Sequence, residues 1–163
     1  MSTPLPYRIG HGYDLHRLKS GGQLLLGSVI VSSEMSPIAH SDGDVVLHAL
    51  VDAILGSMGW GDIGEDFPND DPEWRDVPSR VFVDTVFAKL QHSGYRVGNV
   101  DVLILAERPR LNTFKPAIRQ AVAKMLDVAP DQVNIKAGTN EECDAIGRGE
   151  AIAADVTLLV LRS

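Results

Sequence analysis

Asp14-Leu15-His16 constrains this chain more than any other stretch of it. In an extended strand successive side chains point to opposite faces, so Asp14 and His16 project from the same one. A carboxylate and an imidazole on one face are two ligands of a zinc site, and His48 is the candidate third, on a helix that begins near Asp44. The three together tie a strand to a helix. Three N/O ligands without a fourth protein ligand leave a tetrahedral position for substrate or water, the pattern of a catalytic zinc. Gly10, Gly12, Asp42 and Gly43 keep them company, and the glycines are expected to let backbone approach a ligand closely. The plain alternative for His48, which has Asp44 and Asp52 at i−4 and i+4, is a half-buried histidine paired with a carboxylate. On the metal reading, a nearby carboxylate holds its second ring nitrogen. His11 has the opposite strand parity and is expected to face away in a structural role.

The rest of the chain alternates strand and helix patterns. Tyr7 to Tyr13 reads as a strand, and Gln23 to Val31, with Gly27 inside, as one or two short strands. Asp44 to Met58 is a helix with Asp44 as its cap and an apolar stripe of Val45, Ala49, Leu50, Ala53 and Ile54. Gly59 to Pro78 is a Gly/Asp/Pro-rich loop, long enough for a compact domain to suggest function. Ser79 starts a second helix that ends at His92-Ser93-Gly94, and Thr113 to Leu126 is a third. Strands follow the same logic at Asn99–Ala106, Val133–Ala137 and Ile152–Leu161, with a short helical turn around Glu142–Ala145. These elements predict an α/β sandwich: a mixed β-sheet with helices packed on one face, in a single domain spanning 1–163.

Composition narrows the function. No apolar run reaches the ~18 residues that span a bilayer, and a first strand near Tyr7 leaves no room for a signal or transit peptide. That predicts a cytoplasmic protein of a bacterium, or a plastid protein numbered without its transit peptide. The single cysteine, Cys143, precludes an internal disulfide and reads as a buried small side chain rather than a nucleophile. A net charge of −7 argues against nucleic acid as a partner. A phosphorylated substrate would then need local neutralisation by metal ions or helix N-termini. The acid-rich Asp62-Ile63-Gly64 and Phe67-Pro68-Asn69-Asp70-Asp71 lack the glycine and glutamate spacing of an EF-hand, so a solvated acidic loop is the alternative to a binding role. Ala106-Glu107-Arg108-Pro109-Arg110-Leu111, after a buried strand, is by itself a polar turn.

Four motifs occur in order: Arg8 to His16, Ala39-His40-Ser41-Asp42-Gly43-Asp44, Gly61-Asp62-Ile63-Gly64 and Gly147-Arg148-Gly149-Glu150. From Tyr7 to about Leu161 the chain closely resembles the 2-C-methyl-D-erythritol 2,4-cyclodiphosphate synthase family. The resemblance implies a homotrimer with active sites between subunits. Its zinc ligands fall on Asp14, His16 and His48, and Glu141, with Glu142 as rival, holds Mg²⁺ or Mn²⁺ together with substrate phosphates. His40 and Thr139 are implied as transition-state stabilisers, and His40 and Ser41 lie beside the phosphates. Asp62, Ile63, Gly64 and the Phe67–Asp71 stretch hold the methylerythritol hydroxyls. Ala106 through Asn112 form the cytosine pocket, with Arg110 near the nucleotide phosphates, and Gly138, Thr139, Asn140 and Glu141 complete the contacts. The implied reaction is intramolecular phosphoryl transfer: the 2-phosphate of a cytidine diphosphate substrate attacks the β-phosphorus and CMP leaves. A zinc phosphodiesterase and a non-enzymatic trimer binding isoprenoid diphosphates are the rival functions. One departure stands out. Where much of the family has an aromatic residue three positions before the arginine of Gly-Arg-Gly, this chain has Ala145, so binding of isoprenoid diphosphates beside Arg148 is expected to be weak.

Overall fold

The glycines of the first strand decide how the layers meet. The computed structural model describes residues 5–68 and 70–163. Strand β1 (Tyr7–Ser20) alternates buried Gly10 and Gly12 with exposed Ile9, His11 and Tyr13. Helix α1 (Val45–Met58) lies across the glycine side. A Cβ on Gly10 would sit 1.8 Å from the Ala53 carbonyl oxygen, and one on Gly12 2.0 Å from that of Ala49. No side chain fits there, so helix backbone rests on strand backbone. The close approach these glycines provide is therefore to α1, and not to a ligand as the sequence suggested.

Between them, β2 (Leu24–Leu26) and β3 (Val29–Ser32) form a separate hairpin, and β4 (Met35–Pro37) pairs with the end of β1. The hairpin turn is Gly27-Ser28, both at positive φ (59° and 65°), as a two-residue type I′ turn requires. Further on come α2 (Ile63–Asp66), α3 (Ser79–His92), β5 (Tyr95–Leu105), α4 (Lys115–Met125), β6 (Val133–Gly138), α5 (Asp144–Gly147) and β7 (Ala151–Arg162). The main sheet has the order β4-β1-β7-β5-β6, antiparallel except for the parallel β5–β6 pair. This is the mixed sheet the sequence predicts. One core, with Leu50, Ile54, Val86, Ile118, Ile104 and Val156, joins α1, α3 and α4 to one sheet face. Burying such side chains contributes about 1.5–3 kcal/mol each.

The other face has little cover. Among the described residues, the single turn α5 seats Ile146 there, on Ala151 and Ala153. Ile9 (68% exposed), Tyr13 (48%) and Leu15 (43%) stand open on it.

Several boundaries differ from the sequence reading. β1 runs to Ser20 rather than Tyr13, because its pairing with β7 and then β4 continues until Gly21-Gly22 breaks it. α1 carries no stripe: Val46, Leu47, Val51 and Leu55 are buried as well, since sheet and α3 enclose it. The Gly59–Pro78 loop holds α2 and a 3₁₀ turn at Pro72–Trp74, capped by Asp62 and Asp71. β5 begins four residues early, with a bulge at Gly98, and α5 lies two residues beyond the expected turn. No helix among the described residues is long and apolar enough to cross a membrane.

Gly12→Ala tests the layer contact. It should lower stability by about 3 kcal/mol or more in denaturant titration, at or beyond the usual range for overpacking. Gly21→Ala, at φ +80° with nothing within 4 Å, should cost only the ~1–2 kcal/mol of a left-handed alanine. Equal effects would show that α1 does not depend on the glycine track.

Candidate active site

Because β1 and α1 meet backbone to backbone, residues on their facing sides converge. Asp14 and His16 follow Gly12 on the α1 side of β1, and His48 leaves the first turn of α1 toward them. Asp14 Oδ2 lies 3.1 Å from His16 Nε2 and 3.0 Å from His48 Nδ1, and the two nitrogens are 3.2 Å apart. Ligands ~2.0–2.1 Å from a tetrahedral zinc stand about 3.3 Å apart, so this triangle needs almost no movement to hold one. Two imidazoles and one carboxylate also suit zinc chemically. Burial by itself would raise the Asp14 carboxyl, but hydrogen bonds and charge from His16 and His48 outweigh it and hold Asp14 well below the usual carboxylate range.

The local chain is fixed by a set of aspartates. Asp44, fully buried, caps α1 at Val46 N and Leu47 N and also accepts from Gly27 N (2.9 Å) and Ser28 N (2.7 Å) of the hairpin. Burial pushes its carboxyl up, and these amides oppose that. Asp52 accepts from Ile63 N at 2.7 Å, which pins α2 to α1. Burial and the negative charges of Asp62 and Asp14 raise the Asp52 carboxyl despite that bond. Neither Asp44 nor Asp52 holds the second nitrogen of His48, contrary to expectation. His48 Nε2 faces Ser79 Oγ at 2.8 Å and Ser41 Oγ at 3.1 Å.

The triangle opens on a cavity of about 210 Å³. Of the sequence-predicted residues, it gathers Asp14, His16, His40, Ser41, His48, Ile63, Gly64 and Phe67. Asp62, Pro68, Asp70 and Asp71 are not in its wall. One oxygen of Asp62 caps α2 and one of Asp71 caps the 3₁₀ turn, while Asn69 lies outside the described residues. The loop is tied in place by a bond from Asp76 N to the His40 carbonyl at 2.9 Å.

The sequence reading missed Trp74 and Phe82. With Phe67 they form an aromatic wall of centroids 4.6–5.9 Å apart, and Phe82 approaches the His48 ring at 6.1 Å. Phe82 looks like an ordinary core residue of α3, and only its i+3 spacing from Ser79 ties it to the site. His11 does point away, to Asp155 at 3.1 Å on the open face.

A second pocket, of about 260 Å³, lies past the C-terminal ends of the parallel pair β5–β6. It is lined by the predicted Ala106, Glu107, Pro109, Arg110, Leu111 and Asn112, and by Gly138 and Thr139. Arg108 is not among them and turns toward Gly149, in a hollow shared with Arg148. Thr139 Oγ1 donates to Glu141 Oε1 at 3.3 Å, and Glu141 and Glu142 both take positive φ (50° and 59°). Asn140 is bound to Asp144 at 2.8 Å. Arg148 makes two 3.0 Å bonds to Glu150, and Ala145 packs on the small Ile146 cluster. Cys143 is exposed rather than buried, since it precedes α5 at the surface.

The chain is similar to known proteins over nearly its whole length. The model of the YgbB family matches residues 7–161. The "2-C-methyl-D-erythritol 2,4-cyclodiphosphate synthase" of Pseudomonas syringae pv. syringae is 46% identical over 156 residues, covering 96% of this chain and 99% of that one. The chloroplastic synthase of the same name from Arabidopsis thaliana is 42% identical over 158 residues, 97% of this chain and 68% of that one. A solved structure, "IspF (Plasmodium falciparum) CDP complex", superposes with a TM-score of 0.87 at 30% identity and covers 99% of both chains.

The electrostatics of Asp14 set a pH dependence for the metal-free protein. A carboxyl with a folded pKa below its unfolded ~3.9 contributes stability in full above that value and loses it as pH falls toward the folded one. Asp14→Asn should therefore flatten the acid side of the stability profile. An unchanged acid slope would show that His16 and His48 do not pair with Asp14 in solution.

Proposed function

This chain belongs to the YgbB family, and we propose that it cyclises 4-diphosphocytidyl-2-C-methyl-D-erythritol 2-phosphate to 2-C-methyl-D-erythritol 2,4-cyclodiphosphate, releasing CMP in the non-mevalonate isoprenoid pathway. The observation that carries this reading is the Asp14–His16–His48 triangle opening on a cavity, in a chain so similar to named synthases. An oxygen of the 2-phosphate attacks the β-phosphorus, the bond from that phosphorus to the CMP oxygen breaks, and the ring closes. No covalent enzyme intermediate is required, and Cys143 lines neither pocket.

The protein's task is to fold the substrate so that attacking oxygen and phosphorus are in line, and to balance charge. Zinc on Asp14, His16 and His48, and Mg²⁺ or Mn²⁺ on Glu141 with the phosphates, would when bound orient the phosphates and neutralise developing charge. His40 and Ser41 present an imidazole and a hydroxyl to a phosphate at the cavity mouth, and Thr139 presents its hydroxyl beside Glu141; His40 and Thr139 stabilise the transition state. The Asp62–Gly64 turn and the Phe67–Asp71 stretch hold the erythritol hydroxyls, Ile63, Gly64 and Phe67 being the members that line the cavity itself. The second pocket, Ala106 to Asn112 with Gly138 to Glu141, receives the cytosine through fixed backbone donors and acceptors. The CDP in the Plasmodium falciparum relative supports a cytidine nucleotide as the ligand.

Asp14, Ala154, Ile104 and Ala137 form one row across the sheet. That puts three strand spacings, about 14 Å, between the metal site and the nucleotide pocket of one chain. The separation, with the uncovered apolar face around Ile9, Tyr13 and Leu15, supports a homotrimer in which one subunit's pocket serves its neighbour's metal site. Arg148 and Ala145 then lie near the trimer axis. Residues 1–163 act as a single domain. Both bacterial and chloroplastic relatives are known, and a cytoplasmic location completes the proposal.

Incubation with the cytidyl substrate and Mg²⁺, followed by phosphorus NMR, should give the cyclic diphosphate and CMP. A linear phosphate would mean a hydrolase, and unreacted substrate a binding protein. Purified protein should carry about one zinc per chain, and His48→Ala should lose both zinc and turnover. Glu141→Gln should lower turnover while zinc and stability stay close to wild type. Damage from Glu142→Gln instead would move the second ion by one residue.

A further inference from the structure

The second nitrogen of His48 lies in a directed chain of hydrogen bonds. Ser79, fully buried in the first turn of α3, has its Oγ 2.8 Å from His48 Nε2 and in contact with Asp42 Oδ1. Its own amide donates to Asp42 Oδ2 at 3.0 Å, and Asp42 Oδ1 also accepts from Asp44 N at 3.1 Å. An ionised carboxylate can only accept, and a serine hydroxyl has one proton. The Ser79 proton therefore goes to Asp42, and its oxygen is left to accept. With the Nδ1 lone pair engaged in the triangle, Nε2 carries the hydrogen, and Ser79 is oriented to receive it. Ser41 Oγ, at 3.1 Å, competes for the same hydrogen. It lies in the cavity wall and accepts from Gly43 N at 3.2 Å, and its own proton can turn from Ser79 Oγ, at a long 3.5 Å, to a ligand.

We infer that Ser79, backed by Asp42, is the positioning residue that fixes the His48 ring for the metal, leaving Ser41 to turn toward substrate. This rests on the metal reading above. Asp42 also joins the start of α3 to the cap of α1, so the helix that carries Phe82 of the aromatic wall and the helix that carries His48 are set by the same carboxylate.

The test is zinc affinity of the full chain, by competition with a chromophoric chelator, for wild type, Ser79→Ala, Ser79→Thr, Ser41→Ala and Asp42→Asn. Ser79→Ala should weaken zinc binding about 10–100-fold, the usual effect of losing such a partner. Asp42→Asn should shift it the same way by less, Ser79→Thr should restore it, and Ser41→Ala should leave it near wild type. In the zinc-loaded protein the His48 Nε2–H proton should be protected from exchange in wild type and in Ser41→Ala, and exposed in Ser79→Ala. A purely structural Ser79 would lower the melting temperature without moving zinc affinity, and that result overturns the inference. So does a larger loss from Ser41→Ala. If Ser79→Ala does not fold, unchanged affinity in Asp42→Asn overturns it. Wild type that binds no zinc overturns the metal reading as well, whereas wild type that binds while the variants bind equally well overturns only the role of Ser79.

Discussion

Backbone contact between β1 and α1 is the constraint on which the site depends. At Gly10 and Gly12 even one added carbon would fall within 2.0 Å of a helix carbonyl oxygen. The glycine track leaves no room for the side chains that ordinarily lie between a helix and its sheet. The consequence is local and chemical. Immediately after the track, the same strand face carries Asp14 and His16, and the helix reaches them with His48. A site that requires ligands within a few tenths of an ångström is thus held by two regular elements and not by a loop.

Polar groups fix what the glycines allow. Asp44 holds the β2–β3 hairpin to the start of α1, Asp42 holds the start of α3 to that cap, and Asp52 holds α2 against the side of α1. Asp44 and Asp42 each take several amide or hydroxyl donors and Asp52 takes one amide, so much of the acidic composition around the site is structural. Burial pushes Asp44 and Asp52 up, while the imidazoles pull Asp14 down, and the contrast follows from which partner each faces. Asp14 is the acid left facing two imidazoles. It is the one suited to a cation.

Much of this was legible in the sequence, for identifiable reasons. The period of two in β1 gives the shared face of Asp14 and His16 without any knowledge of the sheet. The Asp44 cap follows from an aspartate ahead of an apolar run, and a pocket-forming turn at Ala106–Asn112 from its place after a buried strand together with the family likeness. What failed depended on tertiary contact. Gly10 and Gly12 lie just before Asp14 and His16, but nothing local says whether a ligand or a helix approaches them. Ser79 and Phe82 lie 31 and 34 residues beyond His48 in the chain (79 − 48 and 82 − 48) and meet it only because α3 packs on α1. Cys143 looked apolar and buried, yet three residues at positive φ around it, Glu141, Glu142 and Asp144, turn that segment to the surface. The acidic loop hides a second, structural role. Its Asp62 and Asp71 spend one oxygen each on caps, which periodicity could not reveal in a stretch with no regular period.

One strand face and one helix residue, Asp14 with His16 and His48, come together as a candidate three-ligand cation site. X-ray absorption at the zinc edge of the zinc-loaded protein addresses it directly. The expected shell is two imidazole nitrogens and one carboxylate oxygen at ~2.0–2.2 Å, plus an exchangeable light ligand that changes when a phosphate is added. A sulfur neighbour at ~2.3 Å would implicate Cys143, and a shell with a single imidazole would separate His48 from Asp14 and His16; either result would rule out a site built from these three residues.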